Sequence, residues 1–290
     1  MYFRTDMAKE CRDRVMSEYA KEHKGEPDGI RYTEKKYGKT AVSTVEIYNE
    51  AGAVLLGKPV GKYVTVNVGR LWEADAETFT RSADIISSII NSMRVEKGGS
   101  VLVAGVGNRY VTADALGPYA VKYVTATHHV SAAGALKDSG LGDAAVISPG
   151  VLSQTGIEAA AQIKAAAKAV SPSFIIVIDA LAAAGIETLS TSVQITDTGI
   201  SPGSGVGNDR GELSERTLGA QVIAVGVPTV IDAAALLPDG CGEREYKRLK
   251  GCYVCPKDSD RSVAELAHLI GCAVNRVCHK DLSYEDMAYI

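Results

Sequence analysis

The sequence predicts an α/β fold: a mostly parallel sheet flanked by helices, with an antiparallel β elaboration at its N-terminal end. Three observations carry this reading. First, four short apolar runs, Val101–Gly105, Ala144–Ser148, Phe174–Asp179 and Val222–Gly226, alternate with Ala-rich helical stretches. Such runs suit buried parallel strands, because crossover helices cover both faces of a parallel sheet. Second, ahead of Ser100 two segments rich in β-branched residues, 39–48 and 62–68, are separated by turn chemistry. Third, a chain of 290 residues with 46% hydrophobic and 23% charged residues is ordinary globular material, which excludes a disordered or collagen-like protein.

The elements follow in order. Residues 7–22 are charged and helix-prone, and Gly25 to Gly29 is a turn-rich break. Lys39–Tyr48 and Lys62–Val68 read as an antiparallel ribbon, with turns at Asn49–Gly52 and Gly57–Gly61. Residues 75–95 read as a helix with Ile85, Ile86, Ile89, Ile90 and Met93 in one apolar stripe. Beyond Ser100, helices are expected over 115–128, 157–170 and 229–237, and a last one over 258–280. No Pro- or Ser-rich linker and no internal repeat interrupts the chain. Residues 1–290 are therefore read as one domain, with 1–98 the helix-and-ribbon elaboration and 99–290 the parallel-sheet core.

Composition narrows the function classes. The net charge of −4 supplies no global basic field, so neither nucleic acid nor an anionic membrane is an expected partner. No apolar run reaches the roughly 18 residues of a membrane span. Met1–Asp6 carries charge where a secretory core would lie, so a soluble cytoplasmic protein is expected. Six cysteines without an export signal do not imply a disulfide framework. Cys252-x-x-Cys255 with Cys272 and Cys278-His279 has some likeness to a zinc site. Cys272 and Cys278, however, lie six apart in a helical pattern and face different sides of it, as buried thiols do. No metal and no cofactor are expected.

In open α/β sheets the working crevice lies beyond the carboxyl ends of the parallel strands. The first of these runs into Gly105-Val-Gly107-Asn108 and then Thr112-Ala-Asp114-Ala-Leu-Gly117-Pro118. A dinucleotide fingerprint is incomplete here, because Tyr110 stands where the third glycine belongs. Asp114 is either a helix cap or a site carboxylate. The third strand ends at Asp179, and an aspartate directly after five apolar residues is costly to bury unless paired, protonated or functional. Glu158, opening a helix after Ser148-Pro-Gly150, fits a cap or the site.

Thr196-Asp197 leads into a long glycine-rich loop through Gly203, Ser204, Gly205, Gly207 and Asn208, which suits close backbone approach to a peptide. Its Gly199-x-Ser201-x-Gly203 matches the serine-hydrolase elbow in form, but no helical pattern comes after it as the elbow requires. His128 and His129, at the expected end of a helix, suit partners of the helix dipole. Two carboxylates 65 residues apart in sequence, brought to one crevice, would share a proton and supply an acid and a base. The residues alone point to a hydrolase of unspecified substrate.

The motifs that carry this chemistry also carry a resemblance. Arg4-Thr-Asp-Met-Ala8, Gly105-Val-Gly-Asn108, Asp114-Ala-Leu-Gly-Pro118, Thr155-Gly-Ile-Glu158, Ile178-Asp-Ala-Leu-Ala182, the glycine loop 198–208 and Gly226-Val-Pro-Thr-Val230 resemble the germination protease (spore endopeptidase) family, in its order over essentially the whole chain. The resemblance implies an atypical aspartic endopeptidase that degrades small acid-soluble spore proteins during germination in the spore core. It places the two essential aspartates on Asp114 and Asp179; Asn108, Glu158, Asp197 and the glycine loop are expected to line the substrate cleft. It also implies a homotetramer, a zymogen with a short propeptide, and a fold shared with the metal-using hydrogenase-maturation peptidases. A metal-dependent peptidase of the same fold and a non-catalytic peptide binder are the alternatives. Three departures stand out: three residues precede Arg4, the stretch between Val230 and Pro256 is short, and Cys255 replaces the threonine expected before Pro-Lys.

Overall fold

The protein was analysed as a computed structural model, which describes residues 5–279 apart from 22–24, 26, 97, 133, 135, 137–139, 207–210, 238–240 and 250. Among the described residues one sheet contains β1 (Ile30–Tyr37), β2 (Thr40–Ile47), β3 (Gly61–Asn67), β4 (Val101–Val106), β5 (Ala144–Gly150), β6 (Phe174–Ala183), β7 (Ser192–Thr196), β8 (Gln221–Asp232) and β9 (Tyr253–Val254). Their order across the sheet is β1-β2-β3-β7-β8-β6-β4-β5, with β9 on β8.

The four apolar runs are β4, β5, β6 and β8, and they are mutually parallel. The remaining pairings are antiparallel, so the sheet is mixed, and β1–β3 extend it through β7. The reason the runs are apolar throughout is visible in β4 and β6. Val101, Val103, Phe174, Ile176 and Ile178 face helices Ala76–Met93 and Ser259–Cys278. Leu102, Ala104, Ile175 and Val177 face helix Ala159–Val170 on the other side. Successive side chains alternate between faces, and both faces are covered. A third, smaller core joins helix Ala8–Tyr19 to Ile30, Val45, Ile47 and Tyr63 of β1–β3.

Several elements differ from expectation. Asn49 caps a helix, Glu50–Leu56, in place of a turn, its Oδ1 accepting from Gly52 N at 2.9 Å. The expected helix 115–128 is broken: Leu116–Ala120 passes into a 3₁₀ turn, Val121–Tyr123, and His128 opens a separate short helix. Asn275 causes the break, donating to Tyr123 O at 2.7 Å and accepting from Thr125 N at 2.9 Å, which takes up groups a continuing helix would use. His128 is paired with Asp143 at 2.8 Å. Over 229–237 the chain stays in β8 to Asp232, because β6 and β9 supply partners to Val230 and Ile231. Only Ala233–Leu236 turns, capped by Asp232. β1 is a charged edge strand and β7 has five residues, so neither shows a strong strand pattern in sequence. All six cysteines are free, with Cys272 and Cys278 buried in the last helix.

Candidate functional site

β4 ends at Val106, while β6 runs five residues beyond the level at which Gly105 pairs with Ile178, to Ala183. Asp179 therefore lies within β6, level with Gly226 of β8 and one residue past the last rung that β6 shares with β4. It is only 3% exposed, so its carboxylate is held in protein; Oδ1 accepts from Ala180 N at 2.9 Å.

Asp114 arrives from the loop after β4. It closes the 3₁₀ turn Thr112–Asp114, and its Oδ2 accepts from Asn108 N at 2.8 Å. Gly107 has φ +123°, and a Cβ there would stand 2.0 Å from Asp114 O, so this return requires glycine. Gly117 has a different reason. A Cβ on it would lie 2.3 Å from Val106 O and 2.4 Å from Ile178 O, because helix Leu116–Ala120 rests its backbone directly on β4 and β6. Thr229 of β8 donates to Ala113 O, and Thr112 donates to Asp260 Oδ1 at 2.8 Å. The Gly-Val-Gly and Asp-Ala-Leu-Gly segments thus hold the Asp114 turn against the end of the sheet beside Asp179.

Both aspartates line one cavity of about 480 Å³, together with Ala180–Ala182, Pro202 and Gly203 of the glycine loop, Thr229 and Val230 of β8, and Tyr253 and Cys255. Asp6 lines it too and was not marked by sequence as a site residue. It bridges the loop to β6: its N–H donates to Ala182 O at 2.9 Å, Oδ2 accepts from Ala182 N at 2.8 Å, and Oδ1 accepts from Ser204 Oγ at 3.0 Å. A Cβ on Gly205 would meet Asp6 Oδ2 at 2.1 Å, so the loop's third glycine is the seat of this contact. Asp6 belongs to the Arg4–Ala8 motif, but nothing local places it at this cavity, because its partner Ala182 is 176 residues away in sequence.

Asp6 and Leu181 also line a second hollow of about 210 Å³, with Tyr63, Gln194, Thr198 and Ser204. Burial pushes the Tyr63 phenol up to about 12, against the lowering effect of the Thr198 hydrogen bond. The other expected site residues divide. Gly203 lines the larger cavity and Ser204 the smaller, while Asn108 acts on Asp114 through its backbone. Glu158 stands ahead of helix Ala159–Val170 without capping it through its side chain, and lines neither cavity. Asp197 is exposed and accepts from Lys62 N at 2.8 Å, tying β3 to β7. Gly207 and Asn208 lie outside the described residues. Ser201 lies beyond the end of β7 with no strand-to-helix elbow around it. Among the described residues, no group of three or more His, Cys, Asp and Glu is arranged to hold a metal ion.

Fold and site together define an α/β protein with an acidic cleft where its parallel strands outrun one another, roofed by a glycine loop. A family model described as Germination protease matches residues 6–242. A germination protease of Caldanaerobacter subterraneus subsp. tengcongensis is 41% identical over 238 residues, covering 81% of this chain and 71% of that one. One of Clostridium tetani is 33% identical over 322 aligned positions, covering 99% and 98%, and one of Bacillus subtilis is 39% identical over 241, covering 81% and 65%. The chain belongs to the germination protease family and is an endopeptidase of spore germination. No helix among the described residues is long and apolar enough to cross a membrane.

Proposed function

We propose that this endopeptidase hydrolyses small acid-soluble spore proteins with Asp114 and Asp179 acting on a water molecule. The carrying observation is that two carboxylates, 65 residues apart in sequence, line one cavity of about 480 Å³. In this reading the pair carries one proton. The ionised member takes a proton from water, the water oxygen attacks the scissile carbonyl carbon, and the protonated member gives its proton to the leaving amine. The two apparent pKa values belong to the pair and not to either residue. The glycine loop presents backbone N–H groups to the substrate chain, with Asp6 fixing its height over β6. By the same family resemblance, the working protein is a homotetramer made as a zymogen and acting in the spore core.

The test is cleavage of a purified small acid-soluble spore protein by wild type, Asp114→Asn and Asp179→Asn, each with and without chelator. Each variant is expected to lose activity by about 10²- to 10⁴-fold, the usual share of a general acid or base. Both should keep the wild-type circular dichroism spectrum. An active Asn variant at either position overturns the pairing. Loss of wild-type activity in chelator, restored by a divalent ion, would favour the metal-dependent reading instead.

A further inference from the structure

Cys252 and Cys255 flank β9, and both are exposed and free. They lie beyond residue 242, where the match to the family model ends. Cys255 lines the cavity that holds Asp114 and Asp179. Between the cysteines, Tyr253 and Val254 pair with Asp232 and Ile231 of β8, and Cys252 O accepts from Ala233 N at 2.9 Å. Three steps of extended chain span about 10 Å, whereas a disulfide needs its Cα atoms within about 7 Å. The pair therefore cannot join while β9 stays on the sheet.

The chain beyond Cys255 reaches the site directly. Pro256–Asp258 leads into helix Ser259–Cys278, whose first-turn Asp260 accepts from Thr112 Oγ1 at 2.8 Å, two residues before Asp114. Contraction of 252–255 removes Tyr253 and Cys255 from the cavity wall and pulls on the side chain that steadies the Asp114 turn.

We propose that Cys252 and Cys255 form a thiol switch: oxidation joins them, strips β9 from β8 and suppresses peptide cleavage, and reduction restores it. The oxidant is a low-molecular-weight disulfide. One protein thiolate attacks it, breaking its S–S bond and releasing one small thiol. The second protein thiolate then displaces the other, forming the Sγ–Sγ bond. Two protons leave the protein and are taken up by the two released thiolates, so the protein loses two electrons and the oxidant gains them.

The loss of activity rests on the cleft of Asp114 and Asp179 being where peptides are cut, so the test reads the switch separately from turnover. The full chain is treated with oxidised glutathione, then mapped by peptide mass, by backbone hydrogen exchange at 253–254 and 112–114, and by cleavage of a spore protein. Wild type should show the Cys252–Cys255 link, faster exchange at both segments and a loss of about tenfold or more, given that a 1 Å displacement near reacting groups costs about 10²-fold. Dithiothreitol should reverse all three. Cys252→Ser should keep its turnover under oxidant, and Cys241→Ser should behave as wild type. A link that forms without changing exchange or turnover overturns the proposal, as does failure of the link to form. Equal inhibition of Cys252→Ser also overturns it, by assigning the effect to an adduct on Cys255 alone. If reduced wild type cleaves nothing while the link and the exchange change appear as stated, the failure belongs to the proposed activity of this form of the protein, and the mass map and exchange decide the switch.

Discussion

The contact between Gly117 and the strand ends leaves no room for a single methyl group. A Cβ at 117 would stand 2.3 Å from Val106 O, 2.4 Å from Ile178 O and 2.5 Å from Val106 N, all of them backbone atoms in the middle of the sheet. Ordinary contact begins at about 3.4 Å, so Gly117→Ala forces helix Leu116–Ala120 away by about 1 Å. Overpacking of this kind costs roughly 1–3 kcal/mol. At about 2–4 °C per kcal/mol for a chain of this size, the midpoint should fall by roughly 2–12 °C. The helix comes directly after the Asp114 turn, so the same displacement separates Asp114 from Asp179 and should lower turnover by about 10²-fold. Differential scanning calorimetry and single-turnover cleavage of the same preparation measure both. A Gly117→Ala protein with wild-type midpoint and turnover would refute the argument that this backbone contact sets the spacing of the carboxylates. A protein that loses stability but keeps its turnover would refute only the second half.

Further outcomes are expected. Asp6→Ala leaves Ala182 N and Ser204 Oγ without their acceptor, and should cost about 1–3 kcal/mol. It should also make the loop around Ser204 cleavable by a probe protease, and an uncut loop with normal kcat/KM would show that Asp6 does not hold the roof. His279 is fully buried, and burial holds its imidazole below the usual histidine value, although the Thr125 carbonyl beside Nε2 acts the other way. In the unfolded chain it titrates near 6.5, so between that value and its lower folded one the unfolded state binds more protons. Stability from this group is therefore complete above about pH 6.5 and declines as the pH falls below it. Urea melts of wild type and His279→Gln from pH 7.5 to 5.5 should converge toward acid, and parallel curves would remove His279 from the account.

The strongly patterned parts of the architecture were legible in sequence for physical reasons that the structure displays. The four parallel strands read as continuous apolar runs because helices cover both of their faces, and helix 76–93 read clearly because one stripe carries its burial. What was not legible depended on partners far away in the chain. Nothing near Tyr123 says that Asn275 will take its carbonyl, and nothing near Pro228 says that β9 will keep β8 extended to Asp232. The site divides in the same way. Asp179 is conspicuous because it interrupts an apolar run, and Asp114 because glycines surround it. Asp6 and Thr229 stand in recognisable motifs and Cys255 in none, but in no case do the neighbouring residues say that the side chain reaches this cavity. Glu158 and Asp197 show the converse, since acidic residues in suggestive local settings lie outside both cavities.

The two halves of the carboxylate pair are mounted very differently. Asp179 belongs to a central strand, on the β8 ladder and directly after the last β4 rung, so releasing it means opening the sheet. Asp114 hangs on a single 3₁₀ turn, pinned by Asn108 N, Thr229, Asp260 and the Gly117 seat. Segments of that kind open at a fraction of the global unfolding free energy. Local opening at 112–114 would move Asp114 while β6 keeps Asp179 where it is, so the distance between the two carboxylates hangs on the firmness of one short turn.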